Sequence, residues 1–244
     1  MKNAALDLRT VSKTFGAKSA VAGLSLSVGE GEMYGLIGPN GSGKTTTMKM
    51  IAGIYRPTSG AIKVRGVDAL ATPTKAKRML GYVPDDPAAY DLLTGREFLQ
   101  FVGELYGMPR PERDARIASL LASYRLEPVA DGLFMHYSRG TKQKLSIAAA
   151  LLHRPSVLLI DEPMVGLDPE SAKVTKVLLT DFVRQGGAVL LSTHTLSVAD
   201  EICDRFGILK EGRLVAEGTH AELSAKAGRL GSLEEVYLAL TGGL

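Results

Sequence analysis

The sequence predicts an α/β fold with a core of mostly parallel sheet, an N-terminal antiparallel β subdomain and an inserted α-helical subdomain. Three observations predict it. The short apolar runs at 33–37, 157–160 and 188–192 read as strands buried on both faces, as in a parallel sheet covered on two sides. Residues 4 to 30 instead alternate, in Ala5-Leu6-Asp7-Leu8 and again from Val21 to Val28, with turn signals at Gly16 and Gly29-Glu30-Gly31. Residues 86 to 153 carry few β-branched runs and have helical apolar spacing.

Taken in order, the chain passes from the alternating strands to Met33-Tyr34-Gly35-Leu36-Ile37, and then to a helix expected from Thr45 through Ile54. Arg56-Pro57-Thr58-Ser59-Gly60 is a turn cluster, Ala61 to Val64 a strand, and Leu80 to Val83 a further strand ended by Pro84. Thr94-Gly95-Arg96-Glu97 is a capping box that opens a helix over Phe98, Leu99, Phe101, Val102 and Leu105. Gly107-Met108-Pro109 stops it, Arg116 to Tyr124 forms a second helix, and a third begins at Ser138. The α/β pattern resumes with the strand Val157 to Ile160, a helix from about Glu170 to Arg184, and the strand Ala188 to Ser192. A helix over Leu196 to Asp204 and a hairpin around Glu211-Gly212 follow. Capping boxes at Thr219/Glu222 and Ser232/Glu235 open two short tail helices. The expected organisation is one domain over 1–244, with 1–85 and 154–220 as core, 86–153 as helical subdomain and 221–244 as helical tail.

At 244 residues the chain can bury a sizeable core, and 45% hydrophobic with 23% charged residues is the composition of a folded soluble protein. A net charge of +3 gives no case for nucleic-acid binding, which needs basic residues gathered on one face. Lys75, Lys77 and Arg78 read as a solvated helix face. The single cysteine, Cys203, excludes an intrachain disulfide and a cysteine-built zinc site, and reads as a half-buried filler on a helix. Asp7 and Arg9 interrupt any secretory apolar region after Met1-Lys2. The apolar runs fall far short of the ~18 to 20 residues that span a bilayer. A soluble, cytoplasmic protein is expected, with any membrane role supplied by a partner.

The chemistry begins at Gly38-Pro39-Asn40-Gly41-Ser42-Gly43-Lys44-Thr45, a G-x-x-x-x-G-K-T stretch between a buried strand and a helix. Such a turn aims several backbone N–H groups at one spot beside the positive end of the helix dipole. A triphosphate belongs there, with Lys44 on the β/γ-phosphates and the Thr45 hydroxyl on Mg²⁺. The core is therefore that of a P-loop NTPase. The strand at 157–160 delivers Asp161-Glu162 to its carboxyl end, where parallel sheets bind ligands. Asp161 can hold the same Mg²⁺. Glu162, on the opposite face by strand alternation, can orient or deprotonate an attacking water.

Tyr137-Ser138-Arg139-Gly140-Thr141-Lys142-Gln143, Gly166-Leu167-Asp168-Pro169 and Ser192-Thr193-His194 complete an ordered set. From Phe15 to His194 the chain resembles the nucleotide-binding subunit of an ABC transporter. The resemblance implies that Phe15 stacks on adenine and that Gly38 to Thr45 hold the phosphates, with Thr46 as a further contact. It implies Asp161 as magnesium ligand, Glu162 as catalytic carboxylate and His194 as the switch histidine on the γ-phosphate. Ser138 and Gly140 match the signature that completes the ATP site of a second subunit, and Asp168 the loop that signals between sites. ATP and Mg²⁺ are the implied cofactors. A second nucleotide-binding subunit, as a homodimer, and an integral membrane permease are the implied partners, placing the protein at the inner face of the cell membrane.

Two departures stand out. The signature, usually L-S-G-G-Q, reads Tyr137-Ser138-Arg139-Gly140-Thr141, so that Arg139 either faces the partner's ATP or points to solvent. Asp85 stands where the family carries a glutamine that touches magnesium and couples to the membrane domain. It can approach the metal directly or through water. With the Ser232 to Tyr237 ending, these features resemble the ABC-2 type exporter ATPases, which implies export of drugs, lipids, polysaccharides or peptides, or immunity to a secreted compound. The alternative is a soluble ABC-type ATPase acting on nucleic acid or ribosomes, but the chain shows neither heptads nor a basic face. A small-molecule kinase would use Gly38 to Thr45 and Asp161 while leaving Ser138, Gly140, Asp168 and His194 without roles.

Overall fold

The structure, a computed structural model, describes residues 4–87 and 91–242. β1 (Ala4–Phe15) and β2 (Lys18–Gly29) form an antiparallel hairpin. Both strands run longer than the alternating segments expected. Register shifts between Leu8 and Val11, and again before Lys13, break the two-residue period while pairing continues. β4 (Ser59–Val64) pairs with β1, and β5 (Val67–Asp68), too short to leave a pattern, completes a sheet in the order β2-β1-β4-β5.

The second sheet is built from β3 (Met33–Ile37), β6 (Leu80–Val83), β7 (Val157–Asp161), β8 (Ala188–Thr193), β9 (Arg205–Lys210) and β10 (Arg213–Gly218). Its order is β10-β9-β3-β8-β7-β6, parallel except for β10, which returns antiparallel to β9. The strand period of two divides each run between two cores. Val157, Leu159, Ala188 and Leu190 pack toward the antiparallel sheet and α1 (Lys44–Ile51). Leu158, Ile160, Val189 and Leu191 pack toward the inserted helices. This is why these runs are apolar at every position.

The insertion holds α3 (Gly95–Leu105), α4 (Arg110–Ser123) and α5 (Arg139–Leu152). The capping box at Thr94 and Glu97 forms as expected, with both reciprocal bonds present. α4 begins at Arg110 rather than Arg116. Pro109 is its N-cap, and a proline in the first turn forfeits no helical hydrogen bond. Read only as a stop for the preceding helix, Pro109 hides the start of the next. α1 ends at Ile51 rather than Ile54, where Gly53 turns left-handed at φ +68°. The exposed Lys75, Lys77 and Arg78 lie on α2 (Pro73–Arg78). Residues 88–90, between β6 and α3, lie outside the described residues.

α6 (Pro169–Arg184) and α7 (Leu196–Ile202) follow β7 and β8. α7 stops before Cys203, which is extended rather than helical. A Cβ on Gly35 would stand 3.1 Å from its sulfur, and burial pushes the thiol well above its ordinary range, so Cys203 is an inert filler. α8 (His220–Ala227) and α9 (Leu233–Thr241), each with its capping box, are fastened to the edge of the sheet by Leu223, Leu233 and Val236. Among the described residues no helix is long and apolar enough to cross a membrane.

Candidate active site

The carboxyl ends of β3, β6, β7 and β8 open on one cavity of about 500 Å³. The glycine-rich turn between β3 and α1 forms its floor. Gly43 holds φ +108°, and a Cβ there would stand 2.6 Å from the Ala20 carbonyl oxygen, so only glycine lets α1 start against β2. Gly212 donates from its backbone N–H to the Ser42 carbonyl at 2.9 Å, which ties the turn to the β9–β10 hairpin. Asn40, Gly41, Gly43, Thr45 and Thr46 line the cavity.

Gly38 and Ser42 act from behind it. Lys44 Nζ donates to the carbonyls of Gly38 at 2.7 Å and Pro39 at 3.1 Å, and Ser42 is buried with its hydroxyl unpartnered. Burial lowers the Lys44 pKa, and the carboxylates of Glu162 and Asp161 partly restore it. The ammonium thus donates to neutral carbonyls and has an open cavity before it, as a phosphate-binding group requires.

Asp161 ends β7 and is 1% exposed. Its Oδ1 accepts from the Ser192 hydroxyl, across from it in the sheet register, while its Oδ2 is buried without a hydrogen-bond partner. Burial raises its pKa, offset in part by the Ser192 and Thr45 hydroxyls. A buried acceptor left without a partner costs about 1–3 kcal/mol, more when charged, and a divalent cation held by oxygen ligands removes that cost. Asp161 and Thr45 therefore fit the expected Mg²⁺.

Glu162 corrects one expectation. The strand stops at Asp161, and Glu162 turns left-handed at φ +54°, so alternation does not carry its side chain to the opposite face. Both carboxylates line the same cavity. Such a conformation costs a non-glycine residue of order 1–3 kcal/mol and persists only where its surroundings impose it. Here the end of β8 does so. Glu162 donates its N–H to the Ser192 carbonyl at 2.9 Å. Its Oε2 accepts from Thr193 Oγ1 at 2.9 Å, and its Oε1 from the His194 N–H at 3.0 Å and from His194 Nδ1 at 2.6 Å. With Nδ1 engaged, Nε2 is the nitrogen left to His194, which also lines the cavity.

Phe15, at the end of β1, is 43% exposed and lines the cavity; it meets Tyr55 edge to face at 5.3 Å. Lys18, opposite Phe15 in the hairpin register, lines it too. The turn at Gly16 would have disclosed that pairing. Ser138 and Gly140 do not line this cavity. Ser138 is the exposed N-cap of α5, accepting from the Thr141 N–H at 3.1 Å, and Gly140 presses so close to the Gly166 carbonyl that a Cβ would stand 2.5 Å from it. Arg139, between them, does line it, and reaches Asp85. Asp168 caps α6, both its oxygens accepting from Ser171, at 2.8 and 2.7 Å, and those bonds hold its carboxyl below the usual range.

The family model described as ABC transporter matches residues 21–165. A Nod factor export ATP-binding protein I from Burkholderia lata is 38% identical over 229 residues, covering 93% of this chain and 75% of its own length. A solved ATP-binding subunit of an ABC transporter superposes with a TM-score of 0.92 at 37% identity, covering 97% of this chain and 99% of its own. A dimeric ATP-binding cassette in a post-hydrolysis state with ADP and Pi gives 0.81 at 28% identity, over 88% of this chain and 98% of its own.

Proposed function

The chain belongs to the ABC transporter family as an ATP-binding, ATP-hydrolysing subunit, and we propose that it works as a dimer to drive a separate membrane permease, in the direction of export. The observation that carries the hydrolytic reading is the grip of β8 on Glu162. A strained glutamate, fixed by Thr193 and His194 beside a buried aspartate with a free oxygen, is built to hold a water against a phosphate.

In this reading adenine lies on Phe15 and the phosphates in the turn, where Lys44 and the backbone N–H groups neutralise charge as the terminal bond breaks. Mg²⁺, held by Thr45 and Asp161, would supply charge neutralisation at the β/γ-phosphates. Glu162 orients the water and takes its proton, and His194, held by Glu162, faces the γ-phosphate. Their position at the N-terminus of a long helix, outside this subunit's cavity, supports a role for Ser138 and Gly140 at the ATP of a second copy.

The export direction comes from the Burkholderia lata relative, whose name records export of a Nod factor. The permease would dock where the insertion meets the core. A cavity of about 280 Å³ lies there, with Phe98, Val102, Tyr106 and the half-exposed Ile54 in its wall. In this reading the protein sits at the inner face of the cell membrane, held through the permease. The test is an affinity pull-down from gently solubilised native membranes. A stoichiometric multi-spanning partner is expected; ribosomal or DNA-bound partners in its place would overturn the transport reading.

A further inference from the structure

Two of the positions at which the sequence departs from the family pattern, Asp85 and Arg139, meet in space. Arg139 Nη2 lies 3.4 Å from both the side-chain Oδ1 and the carbonyl oxygen of Asp85, at the wall of the nucleotide cavity. One comes from the first turn of α5 in the insertion, the other from just beyond β6 in the core. A third segment fixes the direction of the arginine. Gly166, in the loop that follows Glu162, holds φ +80°, and a Cβ there would stand 3.3 and 3.4 Å from Arg139 Cγ and Cδ. The stem of Arg139 is thus laid across a bare glycine, and its guanidinium, in a side chain 56% exposed, reaches Asp85 at the cavity wall.

We propose that Asp85 and Arg139 form one compensated unit, in which Arg139 is a positioning residue that neutralises Asp85 toward the phosphates of this subunit's own nucleotide. The inference rests on the cavity being the nucleotide site. A carboxylate alone at the position of Asp85 would add to Asp161 and Glu162 around a cavity meant for polyphosphate, where the fixed cations include Lys44 and Lys18. Paired with Arg139, it presents no net charge, as the usual neutral glutamine and glycine would. The unit also crosses from core to insertion. A phosphate charge arriving in the cavity therefore acts on a bond between the two parts of the subunit. A neutral pair lacks that electrostatic link.

Both side chains are about half exposed, so the coupling is modest, and about two- to fivefold in affinity is the expected size. The test is a double-mutant cycle of Arg139→Gly, Asp85→Gln and the double variant, in the purified full chain. Nucleotide dissociation constants are measured by titration with ATP and with ADP, together with KM and kcat. Arg139→Gly should weaken ATP more than ADP, because an uncompensated Asp85 repels the more highly charged ligand. Its loss should appear in KM before kcat and be reduced by raising the salt concentration. The double variant should recover ATP affinity to within about twofold of wild type.

Additive single effects, or equal loss of ATP and ADP, would overturn the proposal. A merely structural role would lower thermal stability in step with affinity, so melting curves of all four proteins separate the two. Lys44→Ala separates this proposal from its premise. If that variant binds ATP as wild type does, the cavity is not the nucleotide site; if it loses ATP while the cycle is additive, only the ion-pair proposal fails.

Discussion

Glu162→Gln tests the hydrolytic site most directly because its structural cost can be worked out atom by atom. Glu162 uses three acceptor bonds: two from His194 on Oε1 and one from Thr193 on Oε2. Glutamine keeps Oε1 as an acceptor for His194. Its amide would face Thr193 Oγ1, a hydroxyl that already accepts from the Thr195 N–H and has a second lone pair to offer. The grip of β8 therefore survives, and the left-handed backbone at residue 162 with it. Only the ability to take a proton is lost. Positioned general bases contribute about 10²- to 10⁴-fold, or about 3–5 kcal/mol of barrier. Single-turnover release of phosphate should fall by that factor, while the ATP dissociation constant changes by less than about threefold. Gel filtration with ATP should show a trapped dimer, because in the proposed assembly the nucleotide between the subunits is no longer destroyed. Hydrolysis within tenfold of wild type, in a folded variant that binds ATP, would refute the assignment of Glu162 as base.

Three further outcomes follow from the geometry. Phe15→Ala removes an exposed aromatic from the cavity wall; ATP affinity should fall by about 1–3 kcal/mol while inorganic triphosphate, which has no base to stack, binds unchanged in a competition assay. Asp161→Asn keeps an acceptor for Ser192 and removes a buried charge with an unpartnered oxygen. Without nucleotide or metal its melting temperature should rise by about 2–8 °C, with hydrolysis abolished, as read by differential scanning calorimetry. Asp168→Ala removes the α6 cap. The Asp168 pKa is depressed in the fold by the Ser171 bonds, so its stabilisation is present above the unfolded value of about 3.9 and is lost as pH falls through the lower folded value. The gap in melting temperature between variant and wild type should therefore be full at neutral pH and narrow only below about pH 4.

The parts of this protein that were legible in the sequence are those in which one local rule decides. Val157 to Ile160 is apolar at every position because each residue faces one of two cores, and that pattern alone implies a strand covered on both sides. The glycine-rich turn is legible because Gly43 cannot carry a Cβ against Ala20. What escaped was set by neighbours distant in sequence. Strand alternation places Glu162 away from Asp161, yet the pull of Ser192, Thr193 and His194 in the next strand holds it left-handed and returns it to the same cavity. Arg139 reads as solvent-facing or partner-facing from its own segment. Its direction depends on a missing side chain at Gly166 and a carboxylate at Asp85, 27 residues after it and 54 before it. Neither relation leaves a periodic trace, since the first joins the carboxyl ends of β7 and β8 and the second joins the first turn of α5 to the loops after β6 and β7. Those ends are brought together only when the sheet closes its hydrogen bonds, with Asp161 opposite Ser192 and Ile37 opposite Thr193. The motifs therefore specify which groups the site owns, and sheet register specifies which of them touch. In this chain register sets Glu162 against the end of β8, and the packing of α5 on β6 turns two separate departures, at 85 and 139, into a single ion pair.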